Sequence, residues 1–83
     1  MDKEFVGVDV SKDTLDVATY FSGQKWHFLN NEAGIKQVIQ ALNRLIPTLV
    51  VIEATGGYET PVAYALHKTE IPCAIVNHRE VRE

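Results

Sequence analysis

Leu49-Val50-Val51-Ile52-Glu53-Ala54 is an apolar run interrupted by one acid. A near-continuous run of this kind is what a parallel strand buried on both faces requires. Thr55-Gly56-Gly57 then turns the chain, and a helix is expected to begin near Tyr58 to Pro61, since proline is tolerated in the first helical turn. Upstream, Ile35, Val38, Ile39, Leu42, Leu45 and Ile46 recur at three- and four-residue intervals and form one apolar stripe of an earlier helix. Asn30 and Asn31 are good N-caps for it, Glu32 suits its first turn, and Pro47 ends it.

Further upstream the pattern shortens to that of strands. Phe5 to Val10 is β-branched and apolar, Ser11-Lys12-Asp13 is a turn cluster, and Thr14 to Phe21 reads as a second strand. Ser22-Gly23-Gln24 makes a hairpin to a third, Lys25 to Leu29. Downstream of the run, Val62, Ala63 and Leu66 form the inner face of the second helix, and Ile71 to Asn77 is a last strand. Pro72 lacks an N–H, which places that strand at a sheet edge. His78 to Glu83 resembles the opening of a third helix.

The order is strand, strand, strand, helix, strand, helix, strand. Right-handed crossovers set the fourth strand beside the first and the fifth beyond it. The prediction is an α/β fold, a mixed five-stranded sheet in the order 3-2-1-4-5. Both crossover helices fall on one face, so the other is uncovered, and an uncovered apolar face favours self-association into a homo-oligomer.

Asp9 lies inside the first strand between Val8 and Val10, and Glu53 lies near the end of the fourth. An ionised carboxylate among apolar neighbours is costly unless paired or bound to a cation. The topology makes their strands parallel neighbours, so both acids approach the carboxyl end of the sheet, where open α/β sheets hold ligands. Gly7 precedes Asp9 on the same strand face and leaves that side uncrowded. Two such carboxylates form half of a hard-cation site, suited to Mg²⁺ or Mn²⁺. The plainer alternative is an Asp beside a turn and a Glu at a hydrated strand end. Spacing alone leaves both open. Asp13 and Asp16 are assigned to the turn and capping class.

Composition narrows the function classes. The chain has 83 residues, 46% hydrophobic and 23% charged, which is ordinary globular usage in one small domain. Its net charge of -3 argues against this segment gripping nucleic acid by a basic surface of its own. A lone cysteine, Cys73, fits a small apolar role in a reducing cytoplasm. No stretch approaches the roughly 18 apolar residues of a membrane span.

A wider pattern joins these pieces. Gly7-Val8-Asp9-Val10-Ser11-Lys12, then Leu15-Asp16-Val17-Ala18, Asn30 ahead of Gly34, Val51-Ile52-Glu53-Ala54-Thr55-Gly56-Gly57-Tyr58-Glu59, Val76-Asn77 and Val81-Arg82 together resemble the N-terminal DEDD domain of IS-one-ten family insertion-sequence transposases, a group that includes the Piv-type DNA invertases. The resemblance runs over essentially the whole chain, and its most specific part is Glu53-Ala54-Thr55-Gly56-Gly57. It implies an RNase H-like fold similar to the RuvC resolvase, in agreement with the sheet order derived above. It also makes Asp9 the first D and Glu53 the E of a metal-binding, catalytic tetrad, whose last two aspartates lie in a later D-x-x-D segment. Residues 1–83 are then the N-terminal part of that domain, truncated before its remaining helices.

By the same resemblance the complete enzyme is a DNA transposase with two Mg²⁺ or Mn²⁺ ions, acting on insertion-sequence ends and target DNA, in some members with a guide RNA and with a C-terminal domain bearing a serine. The fragment alone is expected to bind metal weakly or not at all and to be inactive. His78 departs from the family's usual proline.

Ser11, Lys12, Thr55, Gly56 and Gly57 border the acids and are the candidate phosphate contacts, the glycines by letting a backbone approach the second helix's free N–H groups. The plainer readings are a solvated lysine and a tight turn. Two other functions compete: an actin-like ATPase or sugar kinase, disfavoured because Ser11-Lys12-Asp13-Thr14 has no glycine to close on a phosphate, and a non-catalytic interaction module.

Overall fold

The computed structural model describes residues 3–54 and 56–77. The elements are β1 (Phe5–Val10), β2 (Thr14–Thr19), β3 (Lys25–Leu29), α1 (Glu32–Leu45), β4 (Leu49–Ala54), α2 (Thr60–Lys68) and β5 (Cys73–Asn77). They form one sheet in the order β3-β2-β1-β4-β5. β1 runs antiparallel to β2 and β2 to β3, whereas β4 is parallel to β1 and β5 to β4. This is the mixed sheet expected from the sequence.

One face of the sheet carries the core. Val6, Val8, Val10, Leu15, Val17, Val50 and Ile52 pack there with Val38 and Leu42 of α1 and Val62 and Leu66 of α2. Burying each such side chain contributes about 1.5–3 kcal/mol, the main term holding helices to sheet. Both crossover helices therefore lie on the same face, as their handedness requires. Cys73 and Trp26 pack against the edge of this cluster.

The seat of α1 is set by a glycine. Asn31 caps the helix, its Oδ1 accepting from Gly34 N at 2.8 Å. Gly34 is buried so closely on β3 that a Cβ there would stand 1.8 Å from the Leu29 carbonyl oxygen. Only glycine allows this approach.

Several boundaries and faces differ from expectation. β4 is buried on one face only, because both helices lie on that side; Val51 is half-buried and Glu53 exposed. β2 ends at Thr19 rather than Phe21, since the Glu4 carboxylate accepts from the amides of Phe21 (2.8 Å) and Ser22 (3.2 Å) and starts the turn there. Ile46 is no part of the helical stripe: it takes the left-handed C-cap conformation (φ 50) and is 81% exposed. β5 begins at Cys73, after Pro72, while Ile71 is buried ahead of it. The expected third helix at 78–83 lies outside the described residues. Among the described residues no helix is long and apolar enough to cross a membrane.

Candidate metal centre

β1 and β4 pair with Asp9 directly opposite Glu53. Both side chains are exposed on the open face, while Val8, Val10, Ile52 and Ala54 beside them are buried on the other. Neighbouring strands lie about 4.8 Å apart, so the two carboxylates share one patch of solvent at the carboxyl ends of parallel strands. The pairing required of these two acids is present. The desolvation argument for it is not: both acids face water, and exposure removes the cost of leaving them charged.

The same row continues across β2 and β3. Asp9 is also the partner of Asp16, and Asp16 of His27, so Glu53, Asp9, Asp16 and His27 stand in line across four strands. Asp16 thus belongs to a strand interior and not to a turn. The Ser11 N–Thr14 O and Tyr20 N–Phe5 O bonds fix the alternation of the β1–β2 ladder and make Asp9 and Asp16 a hydrogen-bonded pair. The Thr19 N–Gln24 O and Asn30 N–Asp13 O bonds make Asp16 and His27 a non-hydrogen-bonded pair. Side chains approach more closely in the second kind. Accordingly Asp16 Oδ1 meets His27 Nδ1 at 2.5 Å, and Asp16 is drawn toward β3. Its alternation with buried Leu15 and Val17 could have revealed its face from sequence.

Asn30 is a second residue whose role spacing did not disclose. It does not cap α1. Its Nδ2 donates to Ser11 O (2.9 Å) and to Tyr58 O (3.2 Å). One amide thereby ties the turn after β1 to the turn after β4, the two segments flanking the acids. Ser11 is further engaged with Thr14, Oγ to Oγ1 at 2.7 Å, and Lys12 is exposed. Gly56 (φ 72) and Gly57 (φ 88) adopt left-handed backbone that a side chain resists, so the tight-turn reading accounts for both. Gly57 stands one turn ahead of α2, its carbonyl accepting from Thr60 N at 3.3 Å. That helix opens at Thr60 with Glu59 at its N-cap, and the Glu59 side chain makes no capping hydrogen bond. Thr55 lies outside the described residues.

A divalent cation can be tested against this donor set. Among the described residues neither Asp9 nor Glu53 has a hydrogen-bond or ion-pair partner within the protein, and both offer hard oxygen ligands. They fit such an ion, as two ligands of the six or more that Mg²⁺ or Ca²⁺ takes. Among the described residues no group of three or more His, Cys, Asp or Glu side chains is arranged to hold a metal.

Comparison with known proteins converges on one group. The DEDD transposase model of the IS-one-ten group, described as a transposase, matches residues 6–83. The pilin gene-inverting protein of Moraxella lacunata is 34% identical over 83 aligned positions, which cover 93% of this chain and 26% of the relative. The chain thus spans about a quarter of that relative's length. Among solved structures, T. thermophilus RuvC in complex with a Holliday junction substrate superposes with a TM-score of 0.72 at 12% identity, over 96% of this chain and 68% of that one. At that identity the likeness establishes the fold, which is the RNase H-like one.

Proposed function

The chain belongs to the DEDD transposase family of the IS-one-ten group, and from that membership we propose that Asp9 and Glu53 are two of the metal-holding carboxylates of a DNA-cleaving and strand-transferring site. The observation that carries this reading is their direct pairing across β1 and β4 on an exposed face. The gene inversion in the name of the Moraxella relative and the DNA junction bound by RuvC support a DNA substrate. Family membership also removes the support for an ATP-hydrolysing reading and for a merely structural module.

The ion, Mg²⁺ or Mn²⁺ and two of them in the complete enzyme, would polarise a phosphodiester and lower the charge barrier to in-line attack. The chain's own part is to hold two carboxylates rigidly. Each stands in a strand whose backbone is paired on both sides, so neither can drift from the other. Asn30 fixes the Ser11 and Tyr58 turns on either side and thereby bounds the approach of the DNA. Residues 1–83 act as the N-terminal part of the RNase H-like domain. The remaining ligands come from the family's later D-x-x-D segment, which leaves this fragment inactive alone. Lys12 and Ser11 stand at the rim as phosphate contacts, and the enzyme works as a homo-oligomer in the cytoplasm, with a guide RNA selecting its sites.

The test is phosphodiester cleavage by the full-length protein in Mg²⁺, with Asp9→Ala and Glu53→Ala beside wild type and with chelator as the metal-free arm. Either substitution should lower cleavage by at least about 10²-fold, as loss of a group stabilising transition-state charge does, with thermal melting unchanged. Wild-type cleavage rates in both variants would overturn the reading.

A further inference from the structure

Two stripes run along α2. Val62, Ala63 and Leu66 face the sheet, while Pro61, Tyr64, Ala65 and Lys68, spaced three and four apart, share a second side. That side meets Ile35 and Lys36 of α1 across a groove of about 550 Å³ in the helix layer. The space suits a nucleotide-sized group. Ile35 and Ala65 are half-buried in its walls, whereas Tyr64 is 63% exposed, a large ring held out in water. Lys68 Nζ stands 5.8 Å from the centre of that ring, within cation–π reach. Lys36 brings a second ammonium from the facing helix. Glu32 at the rim is the one carboxylate on the two helices, against Lys36, Arg44 and Lys68, in a chain whose net charge is -3.

This groove and the acid pair lie on opposite sides of the sheet, because α1 and α2 cover the face that Asp9 and Glu53 do not. The family's later aspartates must reach those acids. The segment that bears them therefore belongs on the acid-bearing face, and the helix layer keeps its outer surface.

We infer that the α1–α2 groove binds single-stranded nucleic acid, with one base stacked on Tyr64 and the flanking phosphates on Lys36 and Lys68. The inference goes beyond the metal-dependent chemistry: it is a second nucleic-acid surface, across the sheet from the first and needing no metal. Charge complementarity selects a polyanion, and the tyrosine selects one with flat, free bases. An aromatic platform with cations along the backbone is how single strands are held without sequence preference. Bases in a duplex are stacked on one another and offer the ring no free face. The chain's acidic balance is no obstacle, because salt screens distant charges and leaves the phosphates to the two ammoniums beside them. DNA and RNA strands share this chemistry.

The experiment uses the full-length protein carrying Asp9→Ala and Glu53→Ala, in EDTA, so that no strand is held through metal at the acids. Labelled single-stranded DNA and RNA of mixed sequence, each with one iodouracil, are titrated by fluorescence anisotropy across a salt series. They are then photocrosslinked, and the attached residue is identified by mass spectrometry. The crosslink should fall on Tyr64. Tyr64→Ala should weaken binding about tenfold, whereas Tyr64→Phe keeps it. Lys36→Ala and Lys68→Ala should each make the log–log salt dependence shallower by about 0.7, with Lys36→Arg near wild type. The strand that binds more tightly identifies the source. Thermal melts confirm that each variant is folded. Unchanged affinity in Tyr64→Ala, or displacement by poly-glutamate as effective as by unlabelled strand, would overturn the inference and leave the metal pair untouched. Full cleavage by Asp9→Ala and Glu53→Ala would instead sink the metal pair and leave the groove standing.

Discussion

Gly34→Ala is the substitution on which the fold's geometry can be judged most sharply. In an isolated helix it would stabilise by about 1 kcal/mol, because alanine is the better helix former. Here the added methyl would stand 1.8 Å from Leu29 O, 2.7 Å from Leu29 C and 3.0 Å from Leu29 N. All three are backbone atoms of a paired strand, so no side-chain rotation relieves the overlap. The start of α1 must rise by more than 1 Å from β3 to restore ordinary contact of about 3.5 Å. That movement loosens the packing of Val38 and Leu42, both fully buried. Overpacking typically costs 1–3 kcal/mol, and a clash against rigid backbone belongs at the upper end, so a net loss of about 2 kcal/mol remains after the propensity gain. In a domain of this size about 2 kcal/mol lowers Tm by roughly 8–16 °C. Circular dichroism melts of the 83-residue chain would measure it. A Tm equal to or above wild type would refute the seating of α1 on Leu29, and with it the placement of Asn30 just ahead of the helix.

Two further outcomes follow from single contacts. The Glu4 carboxyl is held below its ordinary value, first by the amide of Phe21 and then by Ser22, so its contribution is present above the unfolded value of about 4.5 and is lost as pH falls through the lower folded one; Glu4→Gln should melt below wild type at pH 7 and match it near pH 3, and a gap that persists in acid would refute the assignment. Asn30→Ala removes two amide donations and should cost about 1–2 kcal/mol, with cleavage by the full-length protein falling by more than the lost stability explains; unchanged cleavage per folded molecule would show that the two turns need no tie.

The legible part of this fold was whatever depends on short-range pattern and handedness. Period two in Phe5–Val10 and Thr14–Thr19, period near 3.6 over Ile35–Leu45, and the crossover rule suffice to place β4 beside β1 and so Glu53 beside Asp9. What depends on a third body was not legible. The run Leu49–Ile52 reads as buried on both faces, yet whether a strand is covered twice is decided by where the helices land. Asp16 lies inside the strand that begins at Thr14, and its alternation with Leu15 and Val17 fixes its face; residue type alone points to a turn, and position in the strand overrides it. Asn30 binds carbonyls 19 and 28 positions away, a relation no local window contains. Ile46 matches the stripe in type and spacing, and only the left-handed cap turns it outward.

The in-register placement of Glu53 against Asp9 ties two kinds of error together. Side chains alternate strictly along a strand, so sliding β4 by one residue past β1 would send Glu53 beneath the helices and bring Ile52 out to water. Such a slip would bury a charge and expose an isoleucine at once, and the misfolded chain would be both unstable and without its acid pair. A molecule that has passed through folding to the stable register has therefore also had its chemistry proofread, by the sheet itself and before any metal or DNA arrives.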